Sequence, residues 1–572
     1  MKNFLRNGSK LLIRRQTTIL SAAFVIMVMI ALSRVLGLVR NRVLAHFFSA
    51  EQLAVYFAAF RLPEMIFEVL VFGALSSAFI PIFTGYLSQK QKKQAWQVAA
   101  ISLNFAFLFF SCLAVVIFFL ARPLYQLIAP GFNPSQLDLA ANLTRLLLLA
   151  QAFFVLSYFL TGVLESLQRF LVPAIAPLFY NLGIILGAWF GAERFGLYGP
   201  VIGAVVGAFC HFLVQLPVVI HLGFRPKLTL DFSHPGVREI GRLALPRVIE
   251  LSFLQVSKSV ELFLASLVST AAYTYFTFAS SLQLLPIGFF GVSIAKAALP
   301  TLAHYSSRKK LKRFRQTFIA SFNQIVFLVI PCSVFLAVLR VPLVRLVFGA
   351  SRFSWQSTLE TGYTLSAFCL GIFAQALIYL LNRAFYALHE TKTPVKVSIL
   401  AAFVNIGLGI VFILGLKWLI WSLALAFSLA SILQAIVLLF LLHRRLGRFK
   451  MKNISIPFMK VTLASLISGG LMFFFLKVLD RSVWDKELSF LGRLGLALPT
   501  TFEFFILDTR YTLNLVFLTS LVSLLGIASY LILAWAFKIK ELTILGKALI
   551  RLRSLRTAPA KILKEKEPIT LD

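Results

Sequence analysis

The chain has 572 residues, 59% of them apolar and only 13% charged, with a mean hydropathy of +0.88 and a formal net charge of +35. That composition excludes a water-soluble globular domain and a disordered chain, and leaves an integral membrane protein. The positive charge does not imply nucleic acid, because the basic runs QKQKK, SRKKLKRFR and HRRLGRFKMKN separate apolar stretches on one predicted side, where they face anionic lipid.

A helix needs about 20 apolar residues to cross the hydrocarbon core. The opening segment, MKNFLRNGSKLLIRRQ, is basic, but the apolar stretch after it is long and lacks a small-residue cleavage pattern, so it is expected to be retained. Spans are then predicted at 19–39, 53–83, 95–121, 141–167, 172–191, 199–223, 240–268, 270–300, 317–339, 361–388, 394–415, 418–441, 461–479 and 512–537, about fourteen in all. With the N-terminus inside, 36 of the 56 Lys and Arg fall in inside segments, so both termini are predicted to be cytoplasmic. The basic tail, 538–572, reads as an amphipathic surface helix followed by a disordered end.

Charges interrupt several spans. The first carries Arg34 and Arg40; the second carries Arg61, Glu64 and Glu68, which share one face at about 100° per residue. The seventh repeats the pattern with Arg247, Glu250, Lys258 and Glu261, and the eighth adds Ser281, Gln283 and Lys296. A charge facing lipid is costly, so these stripes are predicted to face protein or water. The bland reading is buried ion pairing within the stripe, Arg61 with Glu64 or Glu68. The functional reading is a cationic vestibule for an anionic head group, since guanidinium forks suit phosphate. Cys112, Cys210, Cys332 and Cys369 are widely separated, the seven histidines lack ligand spacing, and no phosphate loop follows a strand. No metal, no cofactor, no ATP-driven step and no enzymatic activity is expected.

An internal repeat organises the spans. PIFTGYLSQK (81–90) and PTLAHYSSRK (300–309) share P-x-[FL]-x-x-Y-x-S and a following basic cluster, and the prolines at 173 and 394 each open a span after a short turn. The offsets are 219 and 221 residues. The expected architecture is all-α, with two parallel six-helix lobes (1–230 and 231–445), two C-terminal helices (446–537) and the tail (538–572). Parallel repeats of this kind enclose a substrate site and alternate its access.

The ordered motifs SRVLGLVR (33–40), AFRLP (59–63), GALSSAFIPIF (73–83), APGF (129–132), LQRFLVPAIAPLFYNLGI (167–184), RLVFGASRFS (345–354) and RAFYALHETKTPV (383–395) resemble the MurJ/MviN lipid II flippases of the MOP exporter superfamily. The resemblance implies a MATE-like fold and a lipid-linked peptidoglycan precursor, undecaprenyl diphosphate with its sugar-peptide head, moved from the inner to the outer leaflet of the bacterial cytoplasmic membrane. Cell-wall synthesis machinery is the partner class it implies, and membrane lipids surround the spans. Arg34 and Arg40 sit where the family has first-span arginines, and Arg61 where a basic residue precedes Leu-Pro. Ala54, Phe67 and Ser281 depart from the family, the last two standing where it has arginines. The alternative is a MOP-type exporter of another polyprenyl-linked oligosaccharide or of a small molecule.

Overall fold

A computed structural model describes residues 19–72, 78–225, 227–231, 233–447, 450–480 and 507–543. The opening segment, residues 73–77 of the GALSSAF motif and most of the predicted tail helix lie outside these. Among the described residues the chain is helical throughout, apart from one isolated bridge between Asp480 and Leu507. The first compact unit contains α1 (Ile19–Phe47), α2 (Ala50–Phe67), α3 (Ile80–Ser88), α4 (Lys92–Ile128), α5 (Pro134–Ser166), α6 (Leu171–Phe195), α7 (Tyr198–His221) and α8 (Pro235–Val268). It also takes in the start of α9 (Ala272–Pro286) and the segments 348–357 and 409–417. The second unit contains α10 (Ser293–Ser307), α11 (Leu311–Val338), α12 (Arg340–Phe348), α13 (Trp355–Cys369), α14 (Ile372–Ala387), α15 (Lys392–Ile410), α16 (Trp421–Arg445), α17 (Lys452–Leu479) and α18 (Thr512–Ala536), apart from residues at the ends of α12 and α13 and the end of α15 that join the first.

Eleven helices are long and apolar enough to cross a membrane, or twelve if α13 and α14, bent by 44° at their junction, form one span. These coincide with twelve of the fourteen expected spans. The first two expected spans are also helical, but charges at Glu51, Arg61 and Glu64 dilute the apolar run of α2.

Local backbone structure recurs at the offsets of the sequence repeat. A π-helical segment at Glu68–Phe72 has a counterpart 219 residues on, at Ile287–Val292. Left-handed residues close helices at Lys90 and Lys309, at Gln168 and His389, and at Gly196 and Lys417, with offsets of 219, 221 and 221. Such a conformation costs a residue with a Cβ about 1–2 kcal/mol, so its recurrence at Lys90 and Lys309 reflects a turn the fold requires.

Two features hold the first unit together. Along α6, Gly183, Gly187 and Gly191 are spaced by four; along α7, so are Gly199, Gly203 and Gly207. The two rows face each other: a Cβ on Gly187 would lie 2.5 Å from the Gly199 carbonyl oxygen and 2.7 Å from Gly203 Cα. In an apolar solvent such close backbone approach drives helix pairing through dispersion. Between α5 and α7, Ser157 Oγ meets His211 Nδ1 at 2.5 Å and accepts from Gln215 Nε2 at 2.7 Å, while Thr161 donates to Gln215 Oε1 at 2.9 Å. This network satisfies the polar groups that α5 and α7 bury.

Pro63 interrupts α2 and has no N–H for the Ala59 carbonyl one turn back. Thr144 of α5 fills the gap: its hydroxyl donates to Ala59 O at 2.8 Å, and Tyr125 of α4 donates to Ala58 O at 2.9 Å. The kinked turn that carries Arg61 is thereby fixed by two neighbouring helices. Thr144→Val leaves the Ala59 carbonyl unpaired in a buried setting, a loss of about 1–3 kcal/mol. A lower thermal midpoint of the purified protein is expected, and an unchanged midpoint would show that Ala59 needs no replacement donor.

Candidate functional site

The charged face of α2 meets α8 inside the first unit. Arg61, 3% exposed, donates from Nη2 to the side-chain oxygen of Gln255 and, at 3.3 Å, to the Gln255 backbone carbonyl; its Nε reaches Ser259 Oγ at 3.4 Å. Ser259 donates in turn to the Gln255 carbonyl at 3.0 Å. Glu68, the first residue of the π segment, accepts from Gln255 Nε2 and from Lys258 Nζ, the latter at 2.8 Å. Glu64 is half-buried, with Arg61, Glu68, Lys258 and Arg40 close enough to act on it electrostatically.

This corrects the pairing expected from helical spacing. Glu68 pairs across helices with Lys258, while Arg61 takes neutral acceptors. The reason is geometric: Glu68 starts a π turn, which departs from the α-helical register that would stack it on Arg61, and α8 presents an amide at that height. Gln255 was missed because it has no charge; its signal is spacing, three residues before Lys258 and six before Glu261 on one stripe.

Arg40 is also held by amides. Its Nε and Nη2 donate to Asn41 Oδ1 at 3.1 and 3.0 Å, and its Nη1 donates to Asn181 Oδ1 at 3.2 Å. Asn181 is oriented by its own bond to the Pro177 carbonyl at 3.2 Å. Arg34 is exposed on α1, and Glu261 is half-buried on α8. The side chains of Arg247 and Glu250 lie outside the described residues. Ser281 and Gln283 belong to the second unit, where Ser281 donates to the Phe278 carbonyl at 2.7 Å and Gln283 accepts from Gln375 at 3.0 Å. Phe67, where the resemblance expects arginine, packs on Phe154 and Tyr158.

The chemistry of this cluster follows from its partners. A carboxylate partner would cancel a guanidinium's charge, whereas an amide orients it and leaves the charge in place. Two arginines so held within apolar helices, beside a Lys258–Glu68 pair, make a polar site with positive charge to offer an anion. A helical multi-pass chain with internal repeats and such a site defines a transporter of the MOP type. Solved structures agree on the fold: the chain aligns with a lipid II flippase MurJ in an inward closed conformation at TM-score 0.71 and 24% identity, covering 90% of this chain and 98% of that one. It aligns with an inward-facing MATE multidrug transporter at TM-score 0.64 and 14% identity, over 73% and 94%.

The chain belongs to the lipid II flippase MurJ family, which it matches over residues 43–491, a family of transporters rather than enzymes. Among curated relatives, the probable lipid II flippase MurJ of Haemophilus influenzae is 28% identical over 483 residues, 80% of this chain and 92% of the relative. That of Thermotoga maritima is 29% identical over 445 residues, covering 76% and 86%.

Proposed function

We infer that this chain moves lipid II from the inner to the outer leaflet of the bacterial cytoplasmic membrane by alternating access of two six-helix lobes, 1–230 and 231–445, with both termini cytoplasmic. Helices of 446–537 supplement the lobes, and the tail, 538–572, offers a surface to lipid or to cell-wall synthesis machinery. The observation that carries this reading is the pair of amide-held arginines, Arg40 and Arg61, whose charge no carboxylate cancels, in a chain of this family. Arg34, Arg40 and Lys258 are assigned to the diphosphate; Arg61, Glu64, Glu68, Glu261, Arg247 and Glu250 line or support the site. Ser281 and Gln283 serve the second lobe. The recurrence of π segments and left-handed caps at the repeat offsets supports two lobes of one design.

Complementation tests the reading. In a conditional strain depleted of its own lipid II flippase, expression of this chain restores growth; failure at normal membrane levels favours an exporter of another cargo.

The membrane potential supplies the driving force. An anionic head group moving outward across an inside-negative membrane gains about 2.3 kcal/mol per charge per 100 mV. Collapsing the potential with valinomycin and potassium at constant pH gradient is expected to slow the appearance of lipid II in the outer leaflet, whereas ATP depletion at a clamped potential leaves it unchanged. Transport that tracks ATP and ignores the potential would overturn this assignment.

A further inference from the structure

Gln255 carries no charge, is 2% exposed, and stands between two ionic groups. Its amide oxygen accepts from the Arg61 guanidinium, and its amide N–H donates to Glu68. Lys258 Nζ lies 2.8 Å from the same Glu68 oxygen. Across the cluster the order is therefore guanidinium, amide, carboxylate, ammonium. The interposed amide prevents a direct Arg61–Glu68 ion pair and directs the carboxylate onto Lys258.

The members of this chain differ in access. Arg61 is buried at 3% exposure, so a ligand does not reach it without displacing Gln255 or Ser259. The Lys258 side chain is 45% exposed and that of Glu68 27%. An ion pair that open contributes about 0–1 kcal/mol, little enough for a more highly charged anion to replace the carboxylate. Glu68 also begins a π turn, a backbone irregularity of the kind found at functional sites.

We propose that Gln255 is a positioning residue for diphosphate capture: it holds Glu68 on Lys258, so that the carboxylate serves as a stand-in anion which a phosphate of the substrate displaces. Arg61 acts through Gln255 and does not touch the ligand. The competition keeps Lys258 paired when the site is empty and weakens binding enough for release. This inference rests on the lipid-diphosphate reading above.

The test measures affinity of the full-length chain in nanodiscs for a polyprenyl diphosphate and for lipid II. Without Gln255, Glu68 swings to Arg61 and leaves Lys258 bare, so Gln255→Ala tightens binding about tenfold, the effect of one charge-assisted contact. Glu68→Gln tightens it by a similar factor. Because both act on the same ammonium, the double variant binds no tighter than Glu68→Gln alone. In a Lys258→Met background none of the gains appears. A merely structural glutamine would lower the thermal midpoint and leave the affinity of the folded fraction unmoved; if Gln255→Ala does not fold, Gln255→Met, close in length and unable to bridge, takes its place. Unchanged or weaker binding by a folded Gln255 variant, additive gains, or gains that persist without Lys258 would each overturn the proposal. Absence of binding by the unaltered chain would instead overturn the lipid-diphosphate reading, whereas binding with unshifted variants would remove this inference alone.

Discussion

Replacing Gly187 by valine is expected to cost the chain its accumulation in the membrane. The new Cβ alone would lie 2.5 Å from the Gly199 carbonyl oxygen and 2.7 Å from Gly203 Cα. Both obstacles are backbone, so no side chain swings aside and α6 and α7 must separate along the whole glycine seam. Overpacking of an adaptable core costs about 1–3 kcal/mol; at a seam with nothing to yield, the loss exceeds that range. Against a typical margin of about 5–15 kcal/mol, several-fold less full-length protein and a lower thermal midpoint follow. Gly470→Val is the control, because a Cβ there meets nothing within 4 Å. Equal accumulation of the two variants would mean that α6 and α7 do not need their close approach.

Arg40→Ala is expected to abolish rescue of a flippase-depleted strain while leaving membrane insertion intact. The guanidinium is held on three nitrogens by Asn41 and Asn181 with no carboxylate among those partners, so its removal strands no opposite charge. What is lost is a contact to the diphosphate, an effect of roughly tenfold to a hundredfold on binding. Arg40→Lys keeps the charge but not the fork, and is expected to rescue only in part. Arg34→Ala should follow the same direction. Growth at the unaltered rate with Arg40→Ala at normal protein level would remove Arg40 from the site.

Hydropathy made most of the spans legible because a helix in lipid must be apolar over its whole length, and the internal repeat was legible because short motifs recur at matching offsets. The break between Cys369 and Ile372 was read as one continuous span, since a bend leaves the apolar count untouched. The glycine seam was readable in the four-residue spacing of Gly183, Gly187 and Gly191, yet a scan for length and charge passes over residues that have no side chain. At the site, counting charges located α2 and α8 correctly but mispaired Arg61 and Glu68. The π turn at Glu68 changes the register, and Gln255, which decides the pairing, is invisible to any rule that follows charge.

The left-handed caps bear on ancestry. Gly196 and Lys417 hold the same conformation 221 residues apart although one has no Cβ and the other a long cationic side chain. Residue identity has drifted at this turn while the path of the chain has not. Few identical residues survive between the two halves, but their bends fall in step at Lys90 and Lys309, at Gln168 and His389, and at the π segments opening at Glu68 and Ile287. Such synchrony is the trace of a duplicated gene of about 220 codons, judged from those offsets, and it gives α17 and α18, which have no counterpart in the first half, a separate and later origin.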